Sequence, residues 1–380
     1  MREGWKQVLI ADLCIIKSGK GVPVGEIFEE YCPGAYPCYG GNGRRGFIRK
    51  YSHDGVFPII GRVGALCGNV HLAEGKFYAT EHALVCGINT DINAKFLCYL
   101  FLNMKLRQYA VGAAQPVLSA GFISSLLVSI PSLPEQQRIV DILDQEFAKI
   151  DALKANAEKS LQAAKDLFQA TTDTMMGNEQ WRELTIGEIA KIKGGKRVPK
   201  GYKLEKGPTA HRYIRVADFT DQGTIRPESV LYISDDVYKT IKAYTISSKD
   251  VYISIAGTIG KSGIIPDTLD GANLTENACK LVLGPGFYNR FVFFATKTSS
   301  FKRQVETLTM QAAQPKLALT RLATIRVRVP SSIQEQETIV ERLDGIADTI
   351  AILQDNYQKT LTLCDDLKQS LLRKAFNGEL

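Results

Sequence analysis

No stretch of this sequence is long and apolar enough to cross a bilayer. A spanning helix takes roughly 20 apolar residues, and the longest candidate is the nine-residue stretch from Phe96 to Met104. The start, Met1-Arg2-Glu3-Gly4-Trp5 followed by Asp12 and Lys17, lacks the apolar core and small-residue cleavage site of a secretory signal, so a cytoplasmic protein is expected. The eight cysteines, at 14, 32, 38, 67, 86, 98, 279 and 364, include no Cys-x-x-Cys pair. Scattered reduced thiols are therefore expected rather than disulfides or zinc. Histidines are scarce, at 53, 71, 82 and 211, and show no His-Glu-x-x-His spacing, so no metal site is expected.

Catalytic motifs are missing too. There is no Gly-x-Ser-x-Gly elbow and no Asn-Pro-Pro-Tyr or Asp-Pro-Pro-Tyr element that could hold an extruded base. Gly257-Thr-Ile-Gly260-Lys261-Ser262 resembles the end of a phosphate loop, yet Ile255 stands where the first glycine belongs. Gly41-Asn-Gly43-Arg-Arg-Gly46 has dinucleotide-loop spacing but is followed by Phe47-Ile-Arg-Lys-Tyr51, with no sign of the required helix. A glycine loop carrying Arg44 and Arg45 suits phosphate or base-edge contact better, because arginine offers a planar fork. With no nucleophile, base and cofactor loop together, a binding protein is expected.

What the chain does contain is itself, twice. Trp5 to Pro23 is answered by Trp181 to Pro199 with eight of nineteen positions identical and no gap. Further landmarks keep their order: Gly61-Arg-Val-Gly64 with Gly257-Thr-Ile-Gly260, Thr80-Glu81-His82-Ala83 with Thr275-Glu276-Asn277-Ala278, and Ala113-Ala-Gln-Pro116 with Ala312-Ala-Gln-Pro315. Glu135-Gln136-x-x-Ile139-Val140-x-x-Leu143-Asp144 returns as Glu335-Gln336-x-x-Ile339-Val340-x-x-Leu343-Asp344. The offset grows from 176 at the tryptophans to 200 at the Glu-Gln pairs, so the second copy carries 24 inserted residues. Such a period is too long for a solenoid repeat and means two domains of one fold.

Each copy ends in a long helical run, entered through Ser132-x-x-Glu135 and Ser332-x-x-Glu335, which have capping-box spacing. Leu343, Ile346, Ile350, Leu353, Tyr357, Thr360, Cys364, Leu367 and Leu371 alternate in steps of three and four, as do Leu143, Ile150, Leu153, Ala157, Ala164 and Leu167. Gly177 and Gly378 are the expected stops. The reading is a mixed α/β protein. Two homologous globular domains, 1–133 and 179–332, are joined by two long helices, 134–178 and 333–380, forming an antiparallel coiled coil, a dumbbell with pseudo-twofold symmetry. Each helix folding back on its own domain is the alternative. Residues 134–176 and 333–376 each carry eight acidic and five basic side chains, so the rest of the chain holds +13 of the net +7. Two basic domains on an acidic spacer suit two separated sites on a polyanion.

Together with the C-terminal Leu371-Leu-Arg-Lys-Ala-Phe-Asn-Gly-Glu-Leu380, and with Tyr36-Pro-Cys-Tyr-Gly-Gly-Asn-Gly43, Tyr78-Ala-Thr-Glu-His-Ala83 and Tyr213-Ile-Arg-Val-Ala-Asp218, this organisation resembles the specificity subunit of a type I restriction–modification system. The resemblance implies that each domain reads one half of a bipartite double-stranded DNA target. The helices would fix the unread spacer and dock two modification (methyltransferase) subunits, and restriction (translocase/endonuclease) subunits would join that core. It also implies no cofactor in this chain: S-adenosylmethionine belongs to the modification subunit, ATP and Mg²⁺ to the restriction subunit. By residue chemistry and repeat position, the candidate DNA contacts are Arg44, Arg45, Arg62, His82 and Gln115 in the first domain. In the second they are Lys196, Arg197, Arg215, Lys261, Asn277 and Gln314. A coiled-coil scaffold bridging protein partners, with basic nucleic-acid-binding domains, remains the reading from another class.

Overall fold

The computed structural model describes residues 4–112, 115–309 and 316–380. It divides into two compact units, one made of Met1–Glu158 with Gln358–Leu380 and the other of Lys159–Tyr357.

In chain order the first unit holds β1 (Lys6–Leu9), α1 (Ile10–Leu13), β2 (Cys14–Ser18), β3 (Tyr36–Gly40), β4 (Gly43–Ile48), β5 (His53–Gly61), β6 (Val70–Ala79), β7 (Ala83–Ile88), α2 (Ala94–Met104), α3 (Ala120–Ser124), β8 (Leu127–Ile130) and the start of α4 (Leu133–Met176). Six strands form one sheet in the order β2-β7-β5-β6-β3-β4, and β1 pairs with β8. The Asn93 side chain caps α2 by accepting from the amides of Lys95 and Phe96 at 2.8 and 3.0 Å. The helix then buries Phe96, Leu97, Leu100 and Phe101 in a core shared with Ile10, Ile123, Ile139, Val140 and Leu143.

The second unit repeats this plan with β9 (Arg182–Thr185), α5 (Ile186–Ile189), β10 (Ala190–Gly194), β11 (His211–Ile214), β12 (Leu231–Ile233), α6 (Asp235–Ile241), β13 (Val251–Ser254), β14 (Ser262–Gly263), β15 (Asn273–Leu274), β16 (Ala278–Leu283), α7 (Asn289–Lys297), α8 (Ser299–Thr309), α9 (Leu319–Leu322), β17 (Arg326–Val329) and most of α10 (Ile333–Asn377). The trio β10-β16-β13 matches β2-β7-β5, and β17-β9 matches β8-β1. The copies diverge between those shared strands, where the second builds a separate sheet, β12-β11-β15.

The glycine repeated after β2 and β10 has a steric cause. A Cβ on Gly19 would lie 2.1 Å from the Ala79 carbonyl oxygen, and one on Gly195 would lie 2.1 Å from that of Thr275. The following lysine amides donate across the same gap, Lys20 to Ala79 and Lys196 to Leu274. The repeated Glu-Gln motif is equally structural. Gln136 Oε1 accepts from the Asn93 amide at 3.0 Å while Nε2 donates to the Pro131 carbonyl. Gln336 does the same with the Tyr288 amide at 2.9 Å and the Gly286 carbonyl. Both glutamines are buried, so each bolts a long helix onto the start of α2 or α7. Asp144 and Asp344 add a second bolt, to Lys95 at 2.7 Å and to Arg290 at 2.5 Å.

Helices α4 and α10 stop at Met176 and Asn377, immediately before the expected glycines. Their entry differs from the expected capping box in the second copy: Ser332 Oγ donates to Gln334 and the Glu335 carboxylate receives the Trp181 indole N–H at 2.9 Å. Burial recurs every seven residues, at Leu143, Ile150, Ala157 and Ala164, and in the second helix at Leu343, Ile350 and Cys364, with the half-buried Tyr357 between the last two. The second position of each heptad is half-buried and holds Phe147, Lys154, Leu161 and Phe168, or Ala347, Gln354, Leu361 and Lys368. Leu153, Leu167, Leu353 and Leu367, expected in the seam, are exposed instead. The helix turn explains it: at 3.6 residues per turn Lys154 lies about 20° around the axis from Leu143, and Leu153 about 80° away.

Within the first unit the two helices run antiparallel. Arg138 donates to the Leu380 carbonyl at 2.8 Å, Lys368 meets Asp151 at 2.5 Å and Lys154 meets Asp365 at 2.7 Å. Such exposed pairs contribute about 0–1 kcal/mol each, so they fix register more than stability. Folding back on the domain and pairing between helices are therefore both present: Ile139, Val140 and Leu143 join their domain's core, and later turns meet the other helix.

Candidate nucleic-acid interface

In the first unit the expected glycine loop is a hairpin. β3 and β4 pair Gly40 with Gly43 across Gly41-Asn42, and Gly43 takes φ +80, which glycine tolerates. The register shifts between Cys38, opposite Gly46, and Tyr39, opposite Arg44, leaving Arg45 as an extra residue. This bulge exposes two consecutive arginines that a regular strand would send to opposite faces. The Arg44 guanidinium lies 5.0 Å from the centre of the Phe47 ring.

Beside the hairpin is an open cavity of about 530 Å³, lined by Gly40 to Arg45, Val63 to Leu66, Thr80, His82 and Gln115. Four of the five first-domain candidates, Arg44, Arg45, His82 and Gln115, thus share one wall. Arg62 is adjacent: its amide donates to the His82 carbonyl at 2.9 Å and its carbonyl accepts from the Leu118 amide. Residues 36–48, 61–66, 80–82 and 115–117, far apart in the chain, are assembled here by the sheet order that places β3 beside β6 and β5 beside β7.

The second unit distributes its candidates more widely. Lys261 and Asn277 line a cavity of about 430 Å³ together with Val216, Ala217 and the Gly257 turn, and Lys261 also meets Asp221 at 2.9 Å. Arg215 leads into this cavity but is committed to Asp218, with contacts of 2.6 and 3.1 Å, and to the Ser229 carbonyl. Arg197 Nε donates to Glu276 at 2.5 Å while most of its side chain stays exposed. Burial raises the Glu276 carboxyl, but Arg197 and its other hydrogen bonds outweigh that and hold it below the usual range. Lys196 Nζ lies 5.7 Å from the centre of the Tyr244 ring. Gln314 lies outside the described residues. The acidic partners Glu81 and Glu276 were missed as candidates, although the repeated Thr-Glu dyad marked their positions.

A larger cavity, about 720 Å³, lies in the second unit among Lys165, Phe168, Lys261, Arg290, Phe293, Lys297, Lys302 and Ala347. Lys297 Nζ donates to the Ser262 carbonyl at 3.1 Å and lies 4.9 Å from the centre of the Phe293 ring. Burial, then the charges of Lys302 and Lys261, push this amine down to about 8. All eight cysteines are free thiols. Among the described residues no helix is long and apolar enough to cross a membrane.

Residues 2–163 and 178–362 match the family model of the type I restriction modification DNA specificity domain, once in each copy of the repeat. The chain belongs to this family. It is 40% identical over 141 residues to the EcoprrI type I specificity subunit of Escherichia coli, covering 37% of this chain and 35% of that one. It is 25% identical to a putative type I specificity subunit of Haemophilus influenzae, covering 63% and 62%. These two matches therefore span less than two thirds of the relatives. The EcoDI specificity subunit of E. coli is matched more completely, 99% of this chain and 88% of that one at 23% identity. A solved chain described under complex assembly and conformational transition of the type I R-M system shares the fold, with TM-score 0.75, 16% identity and coverage of 100% and 99%. The HsdS subunit of Thermoanaerobacter tengcongensis follows at TM-score 0.52, 16% identity and coverage of 100% and 98%.

Proposed function

We propose that this specificity-family chain is the non-catalytic, DNA-reading subunit of a type I restriction–modification complex in the cytoplasm. Domains 1–133 and 179–332 each recognise one half of a bipartite duplex target. The observation that carries this reading is the cavity of the first unit, where four side chains able to contact phosphates or base edges converge from separate segments. Lysines and arginines around the cavities neutralise phosphates and set position, and a few side chains at base edges select sequence. S-adenosylmethionine on a modification subunit, and ATP with Mg²⁺ on a restriction subunit, supply the chemistry this chain lacks. The exposed leucines of α4 and α10 support a pair of docking sites. Each unit carries one from each helix, Leu153 with Leu367 and Leu353 with Leu167, which suits two modification subunits.

The test is co-expression with the cognate methyltransferase, followed by mapping N6-methyladenine across the host chromosome. An interrupted two-part motif, present only with both proteins, is the expected result. No new methylation, with the methyltransferase intact and bound to this chain, would overturn the reading in favour of a scaffold.

A further inference from the structure

The two copies of the Thr-Glu dyad differ in one connection. In the second, Glu276 is satisfied on both oxygens, by Arg197 Nε at 2.5 Å and by the Thr275 hydroxyl at 3.0 Å. The residue at the position of Arg197 in the first copy is Gly21. There Glu81 Oε1 meets His82 Nε2 at 3.2 Å, but Glu81 Oε2 and the Thr80 hydroxyl are buried with no hydrogen-bond partner. A Cβ on Gly21 would lie 3.6 Å from Glu81 Oε2, so the lone oxygen faces the space that an arginine side chain fills in the other copy. Buried acceptors without donors are rare because each forfeits its hydration. Two adjacent ones beside a cavity point to a donor supplied from outside.

We infer that Glu81 is a specificity-determining residue that accepts a hydrogen bond from the exocyclic amine of a cytosine or adenine in the first half-site. This rests on the DNA-reading function proposed above and extends it to one residue and one class of base edge. An ionised carboxylate only accepts, and in the major groove only cytosine N4 and adenine N6 donate, while guanine and thymine present acceptors that it repels. The Glu81 side chain is 45% exposed, so a change of rotamer at χ1 or χ2 carries its carboxylate outward. Thr80 and His82 share the cavity wall with Arg44 and Arg45. Those two cations attract a phosphate backbone and repel a partner protein's arginine, which favours DNA as the donor's source.

Two variants test this in the complex with its modification subunit, read by methylation mapping beside the wild type. Glu81→Ala removes the acceptor. Gly21→Arg supplies the internal cation of the second copy, and its Cβ meets nothing closer than 3.6 Å. Both are expected to relax one cytosine or adenine position of the first half-site, lowering discrimination there about tenfold or more. The second half-site and the spacer should stay as in the wild type, which also reports an intact fold and complex. A wild-type motif retained by both variants overturns the inference while leaving the function standing. Loss of the modification subunit from the Glu81→Ala complex, seen as missing mass and absent methylation, places a protein cation at Oε2 and overturns it as well. Absence of any two-part motif from the wild type defeats the function itself.

Discussion

Burying a lysine amine costs free energy; Lys297 is bonded to a neutral carbonyl, and among its charged neighbours Lys302, Lys261 and Arg290 disfavour its charge while Asp221 offsets them only in part. Its folded value of about 8 lies below the roughly 10.4 of an unfolded lysine. Between these two pH values the unfolded chain binds more protons, so stability rises with pH across that window. Below about 8 both states are charged and the full cost remains. Lys297→Met should therefore gain urea resistance relative to wild type at pH 7, and that advantage should shrink as pH approaches 10. Losing the Ser262 bond adds an offset of about 1 kcal/mol that does not change with pH. Urea midpoints of both proteins at pH 7 and 10 check this, and a difference independent of pH would contradict it. Little of this residue was legible beforehand. No motif marks Lys297, because its environment is built by Lys261, Arg290 and Lys302 from separate elements of the fold.

Among elements, the long helices were the most legible and their faces the least. Length, polarity and the glycine stops gave α4 and α10 to within three residues. Apolar side chains alone do not mark the seam. The helix phase instead puts Lys154 and Lys368 inward, their stems packed and their ammonium groups on Asp365 and Asp151, and turns Leu153 and Leu367 to solvent. Strands β5, β13 and β16 follow from their apolar runs. The β3–β4 hairpin was hidden because a bulge at Arg45 breaks the alternation by which a strand is read. The outward leucines carry a prediction: Leu153→Asp combined with Leu367→Asp should remove one modification subunit from the complex, seen as a loss of one subunit's mass. Exposed positions tolerate such changes within about 0.5 kcal/mol each, so the isolated chain should melt almost unchanged. Retention of two modification subunits would refute the docking role of these leucines.

For the molecule as a whole, the internal repeat was the most informative feature. It survives because its identical positions do structural tasks: Gly19 and Gly195 admit a neighbouring backbone, and Gln136 and Gln336 tie a long helix to its domain. What the copies do not share, the β3–β4 hairpin in one and the β11–β12 insertion in the other, could not be aligned and so could not be predicted in shape. Arg44 and Arg45 lie in this unshared part and are legible only by composition, whereas Glu81 lies in the repeated Thr-Glu dyad, where only the contacts of the fold distinguish it from Glu276. The same division between constant and variable parts makes helix length, rather than any side chain, the proposed determinant of the unread spacer. Each long helix passes from one compact unit to the other, between Glu158 and Lys159 in α4 and between Tyr357 and Gln358 in α10. Inserting four residues at both points lengthens each helix by about one turn, roughly 6 Å, which is nearly two base pairs of duplex at about 3.4 Å each. Methylation mapping of the wild-type and lengthened chains should then give the same two half-sites separated by a longer spacer. Altered half-sites at an unchanged separation would mean that the helices do not set the spacing, and that the domains sense each other's position by some other contact.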